Sequence, residues 1–255
     1  MRRKVAQTTR RARLTFLCIL PSCNSVFFVV YYIQKLRKEL TTMKKYIILD
    51  NETANDIDCP LVYDFGFSVI DETGKAYASY SFVNADIFCD DEIMATAYFA
   101  DKIPQYWDDI KSGKRVLKSF RSIERIFRRV CREWDVDTFV AHNARFDYMA
   151  LQTTKRYITT SKERFFFPYG SKFVDTLKLS REVFGHDEIY RNFCVTNGYV
   201  TNRGQNRYTA EVIYRFLTDD NNFEEEHTGL ADCMIEKEIF RYCLETLSVE
   251  NGYLW

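Results

Sequence analysis

Tyr46-Ile47-Ile48-Leu49-Asp50-Asn51-Glu52 is a short apolar run that breaks into carboxylates at its end. Four apolar residues in a row predict a strand buried on both faces. Asp50 and Glu52 stand two apart, so in extended backbone their side chains leave the same face. In an open α/β sheet, ligands bind just beyond the carboxyl ends of such strands. The pattern recurs downstream. Thr138-Phe139-Val140-Ala141 is a second buried strand, and His142-Asn143-Ala144-Arg145-Phe146-Asp147 leads from it into a helix read over 147–160.

Around these two strands the chain alternates. Leu61 to Ile70 switches between apolar and polar, Asp71-Glu72-Thr73-Gly74 makes a turn, and Ala76–Val83 returns, which is a hairpin. Apolar residues at 120, 123, 127, 130 and 134 mark an amphipathic helix. Phe173-Val174 is read as a short strand followed by a helix through Phe184, and Tyr208–Leu217 and Leu230–Leu247 as further helices. A meander followed by alternating strands and helices predicts one α/β domain over 43–255, a mixed sheet with helices on both faces. The segment 84–118 contains no motif, and its Tyr98, Tyr106 and Trp107 are candidates for shaping substrate choice.

The 255 residues are 46% hydrophobic and 16% aromatic, enough to bury a core and too much for a disordered polymer. Lys+Arg and Asp+Glu are both 36, so a generally basic coat is excluded. That balance conceals a split. Residues 1–42 hold nine basic residues against Glu39 alone, a net +8, which leaves −8 over 43–255. The eight cysteines are dispersed, with no Cys-x-x-Cys pair, and read as free thiols of a reducing, cytoplasmic compartment. The apolar stretch Leu14–Ile33 is cut by Pro21-Ser22-Cys23-Asn24-Ser25 into pieces too short for the roughly 20 residues of a membrane span. No stable membrane partner is expected. Met43-Lys44-Lys45-Tyr46 has the form of a natural start, and Lys38-Glu39 can be encoded by a purine run of the ribosome-binding type. Residues 1–42 are therefore read as an extension outside the folded domain, upstream sequence translated in frame. A targeting or membrane segment is the other reading.

Asp232 shares a helix face with Ile235 and Ile239, the face that packs inward, and a buried lone carboxylate needs a cation. Thr228-Gly229 allows a turn between His227 and that helix, with Thr228 as a candidate N-cap. Each feature also has a plain reading: Asp147 as an acid favouring a helix dipole, His227 as a surface histidine beside Glu224-Glu225-Glu226. Together, Asp50, Glu52, Asp147 and Asp232 would repel one another unless divalent cations held them. Two such cations can clamp the attacking and leaving oxygens of a phosphodiester.

Three motifs carry a resemblance. Asp50-Asn51-Glu52-Thr53 is similar to D-x-E-T, His142 to Asp147 to H-N-x-x-F-D, and His227 to Asp232 to H-T-x-x-x-D. In this order the sequence resembles the DEDDh (DnaQ-like) 3′–5′ exonucleases over about residues 44–247, and Cys194–Leu217 is similar to phage and Gram-positive versions. The resemblance implies a ribonuclease-H-like fold with a five-stranded mixed sheet flanked by helices. It implies two Mg²⁺ or Mn²⁺ on Asp50, Glu52, Asp147 and Asp232, and His227 as general base. Thr53, Asn143 and Phe146 would lie near the 3′-terminal nucleotide. It further implies release of nucleoside monophosphates from a 3′ end, single-stranded DNA favoured, with replication proteins as possible associates. An RNA or short-oligonucleotide substrate and a catalytically dead binding relative are the alternatives. Many relatives have Thr-Gly after the first Glu, where this chain has Thr53-Ala54-Asn55.

Arg121, Arg125, Arg128 and Arg132 form a stripe on the 119–134 helix, either a solvated face or a track for phosphates. Phe165-Phe166-Phe167-Pro168-Tyr169 is either a core edge or a stacking surface for bases.

Overall fold

A computed structural model describes residues 43–247; the extension read over 1–42 lies outside the described residues. Strand β1 spans Lys45–Ala54, β2 Leu61–Asp71 and β3 Ala76–Asn84, an antiparallel meander with Asp50 opposite Gly66 and Glu52 opposite Asp64. β4 (Val116–Lys118) adds parallel to β3, while β5 (Thr138–Ala141) and β6 (Lys172–Asp175) add parallel on the far side of β1. The sheet order is β4-β3-β2-β1-β5-β6, so it has six strands where five were expected. The extra strand is three residues long and exposed at one end, too short to leave an apolar run in the sequence.

Helices cover both faces. Ile47 and Leu49 point to one, where α4 (Phe120–Glu133) and α5 (Ala144–Ile158) pack through Phe120, Ile123, Phe127, Val130 and Leu151. Tyr46 and Ile48 point to the other, covered by α6 (Thr176–Phe184), α7 (Glu188–Thr196), α8 (Ala210–Thr218) and α9 (Gly229–Thr246). Segment 84–118 forms the short helices α1 (Ala85–Phe88) and α2 (Asp91–Met94), then α3 (Ile103–Ser112), around a third cluster on Tyr63 and Tyr106.

Two sequence expectations change. β2 is buried along its whole length rather than on alternate residues, because helices lie on both its faces. Its polar residues are paired instead of solvated: Ser68 Oγ bonds Ala78 O, and Asp64 takes three bonds described below. α5 opens at Ala144, so Asp147 ends its first turn rather than starting it. Phe166 and Phe167 are core residues, with Phe165 and Tyr169 exposed, which supports the core-edge reading. All six cysteines among the described residues are free thiols. No described helix is long and apolar enough to cross a membrane.

Candidate active site

The first carboxylates stand at the carboxyl end of β1, on the face covered by α9. What brings α9 there is a contact between two glycines. A Cβ on Gly66 would lie 2.1 Å from Leu230 N and 2.2 Å from Gly229 C, and one on Gly229 would lie 2.6 Å from Gly66 N and 2.9 Å from Asp50 O. No side chain fits between these backbones, so the first turn of α9 lies against β1 and β2. Asp232 is thereby delivered beside Asp50 and Glu52.

The turn before α9 is tightly held. Gly229 N donates to Asp64 Oδ2 at 3.0 Å, and that same oxygen accepts from Tyr106 (2.7 Å) and Arg115 (2.8 Å). Asp232 reaches back to accept from Thr228 N at 2.9 Å. Thr228 occupies the N-cap position, but its hydroxyl makes no capping bond; the carboxylate of Asp232 does the capping. His227 takes a left-handed φ of 46°, with its ring stacked on Phe99 at 4.3 Å and 14° between planes. Lys102 grips the Glu226 carbonyl and holds the loop from the other side.

The second motif is anchored by its backbone. His142 N donates to Glu236 (3.1 Å) and Asn143 N to Asp175 (3.0 Å), with Asn143 in the left-handed region at φ 67°. The His142 ring bridges Thr176 Oγ1 (3.0 Å) and the Tyr208 carbonyl (2.7 Å). A carbonyl can only accept, so Nε2 carries the proton. Asp147, 3% exposed, accepts from Asn51 Nδ2 at 2.8 Å.

The arrangement is strongly acidic. A cleft of about 1070 Å³ is lined by Asp50, Glu52, Asp147 and Asp232, together with His227 and two further carboxylates, Glu225 and Glu236. Burial, then the charges of Glu236 and Asp147, pushes Asp50 well above the usual carboxylate range. Glu52 is pushed up to about 9 by burial and by Asp232, Asp147 to about 8 by burial, and Asp232 to about 7 by burial. Burial and the neighbouring Lys102 lower His227, so at neutral pH its ring is a free base. Ligand atoms of Glu52, His227 and Asp232 lie within 4.8 Å of one another. Asp232 Oδ1 is buried without a hydrogen-bond partner. Oxygen donors, mutual repulsion and an orphaned carboxylate oxygen fit a hard divalent cation.

All five expected catalytic residues therefore line one cleft, as do Asn143 and Phe146. Thr53 does not line it. A bulge between Glu52 and Thr53 shifts the register, and Thr53 pairs with Val62 away from the cleft. Just beyond it, Asn55 adopts a left-handed φ of 69° and its N–H donates to Thr96 Oγ1 at 2.7 Å. Sequence reading missed Glu236, Asp64, Phe99 and Lys102. Glu236 had a signal, standing one helical turn beyond Asp232 on the same inward face.

No family model matches the chain, and no curated protein matches it. Solved structures do. S. pombe Pop2p in its Mg²⁺- and Mn²⁺-bound form superposes with a TM-score of 0.51 at 12% identity, over 91% of this chain and 94% of that one. Exonuclease I in its apo form gives 0.51 at 11% identity, over 81% of this chain and 43% of that one. The cell-death related nuclease CRN-4 gives 0.47 at 13%, over 80% and 64%. The chain thus spans less than half the length of Exonuclease I. At such identities the likeness concerns the fold alone, and the described domain shares its ribonuclease-H-like α/β fold with Pop2p and Exonuclease I.

Proposed function

We propose that the chain is a metal-dependent 3′–5′ exonuclease that releases nucleoside monophosphates, with single-stranded DNA as the favoured substrate and residues 43–255 as the nuclease domain. The observation that carries this is the convergence of Glu52, His227 and Asp232 within 4.8 Å, with Asp232 Oδ1 buried and unpartnered. Asp50, Glu52, Asp147 and Asp232 would hold two Mg²⁺ or Mn²⁺. Such ions, when bound, neutralise the cluster and stabilise charge on the attacking and leaving oxygens. His227 accepts a proton from the attacking water at an imidazole nitrogen, which its lowered pKa leaves free to do. The water oxygen bonds to phosphorus as the bond to the 3′ oxygen breaks. The terminal residue leaves as a nucleoside 5′-monophosphate, and the shortened strand takes a proton on its new 3′ hydroxyl. Asn143 and Phe146 line the cleft where the terminal nucleotide would lie.

The test is a product ladder from 5′-labelled DNA and RNA strands with Mn²⁺ or Mg²⁺. Stepwise shortening from the 3′ end is expected, abolished by EDTA and restored by the metal. Full hydrolysis in excess EDTA, or shortening from the 5′ end, overturns the reading. A chain beginning at Met43 is expected to give the same ladder.

A further inference from the structure

The cleft has two chemistries. β1, the first turn of α5 and the start of α9 supply carboxylates, whereas α6, α7 and the loop 199–209 supply Arg181, Arg191 and Arg207. The arginine-bearing side is ordered. The loop is a small hairpin closed by the Val200–Asn206 bridge, with Thr201 N bonded to Gln205 O (2.8 Å) and Arg207 N to Tyr199 O (2.9 Å). The Arg207 carbonyl accepts from Tyr190 Oη, and the next carbonyl, Tyr208 O, accepts from His142 Nε2 at 2.7 Å. The second motif therefore sets the position of Arg207 against the acidic cluster.

Several arginines elsewhere in the domain hold carboxylates, while others on the outer surface, Arg121, Arg125 and Arg132 among them, make no ion pair among the described residues. Arg115 pairs with Asp64 and Asp109, Arg128 with Glu124, Arg215 with Glu211 and Arg241 with Glu245, at 2.8–3.1 Å. Among the described residues Arg181, Arg191 and Arg207 make no ion pair, and what sets them apart is that all three are exposed on the lining of the acidic cleft although the domain carries net negative charge. A metal site alone has no use for them. A strand with repeated phosphates has: guanidinium groups match phosphate oxygens two at a time. Three of them on three elements suit successive phosphates rather than one. The cleft volume of about 1070 Å³, just above the roughly 300–1,000 Å³ of small-ligand pockets, agrees with more than one nucleotide. The arginine stripe of α4 does not serve this path, because α4 packs on the Ile47 and Leu49 face of the sheet, opposite Asp50 and Glu52.

We propose that Arg181, Arg191 and Arg207 form a phosphate-binding wall that grips the single strand on the 5′ side of the scissile bond. The wall makes the enzyme favour strands several nucleotides long. The proposal rests on the nuclease reading above and deepens it.

The test compares a dinucleotide with twelve-nucleotide oligothymidylate and oligouridylate in Mn²⁺, for the full chain and for Arg181→Gln/Arg191→Gln/Arg207→Gln. Anisotropy of the labelled twelve-nucleotide strands in Ca²⁺ gives binding independently of hydrolysis. In the triple variant, KM and the dissociation constant for the long strands should rise at least about tenfold, and KM for the dinucleotide less than about threefold. The salt dependence of long-strand binding should fall by about 2 in logarithmic slope, from roughly 0.7 per lost contact. Arg125→Gln/Arg132→Gln on α4 should leave both constants unchanged. Unchanged long-strand constants in the triple variant overturn the wall, as does an equal loss for both lengths. If the full chain hydrolyses neither substrate, arginine-dependent long-strand binding keeps the wall and overturns the nuclease reading, whereas arginine-independent binding overturns both.

Discussion

His227 is held in a backbone conformation that L residues seldom adopt, between the Phe99 ring and the Lys102-clamped carbonyl of Glu226. Such fixing suits a base whose work depends on where its nitrogen points. His227→Ala should lower turnover by about 10²–10⁴ while Mn²⁺ affinity changes little, because the four carboxylates remain. The pH–rate profile of the intact chain should rise through a pKa below 6.5, the direction set by burial and Lys102, and that limb should vanish in the variant. Near-normal turnover in His227→Ala would remove it as the base. Phe99→Ala should lower turnover by roughly ten- to a hundredfold through misplacement of the ring. It should also move the acid limb up toward 6.5 as the ring becomes solvated, and Phe99→Tyr should restore both. An unmoved limb would show that Phe99 does not position His227. At this scale the gathering of Asp50, Glu52, Asp147, His227 and Asp232 in one cleft was legible, because carboxylates at strand ends and helix starts stand out by type and spacing. Phe99 and Lys102 were not, since their roles arise from packing between segments more than a hundred residues apart.

The elements put these residues together through backbone approach. Gly66 on β2 faces the N-terminus of α9, where a methyl group would overlap the Leu230 amide and the Gly229 carbonyl carbon. Overpacking a core usually costs about 1–3 kcal/mol, and here main chain rather than a movable side chain is struck. Gly66→Ala should therefore lose about 3 kcal/mol or more of stability in denaturant unfolding and most of its activity. A variant as stable and active as the parent would show that α9 can retreat without loss. Strands and long helices were legible because their apolar periodicity survives in the sequence: the meander, Thr138–Ala141 and the helix from Phe120 match closely. The four-residue helices α1 and α2 and the short β4 were not, because they span too little sequence to show a period, and the nine- and ten-residue helices α7 and α3 were not read either. Asp64 was hidden differently. It looked like one polar residue of an alternating strand, and only its partners, Tyr106, Arg115 and Gly229, show that it ties segment 84–118 to the site.

Over the whole molecule, a domain with net −8 gathers part of its acidic residues as buried or half-buried carboxylates in one cleft. Folding raises the pKa of Glu52 to about 9, of Asp147 to about 8 and of Asp232 to about 7, against ordinary values near 4. Between pH 4 and about 7–9 the folded chain therefore binds more protons than the unfolded one, and its stability must fall as pH rises through that window. The sign is opposite to that of a salt-bridged carboxylate, which gains stability as it ionises. Metal-free protein in EDTA should lose on the order of 5–10 °C in Tm between pH 5 and pH 9. Mg²⁺ or Mn²⁺ binds the ionised carboxylates of the folded state, so it should return much of that loss, and return more at pH 8 than at pH 5. Asp147→Asn and Asp232→Asn should flatten the pH dependence and weaken the metal effect together, because each removes one repelling charge and one ligand. Thermal unfolding across pH, with and without metal, decides the point: a Tm that rises with pH in EDTA, or a metal effect independent of pH, would mean these carboxylates are not the site that strains the fold.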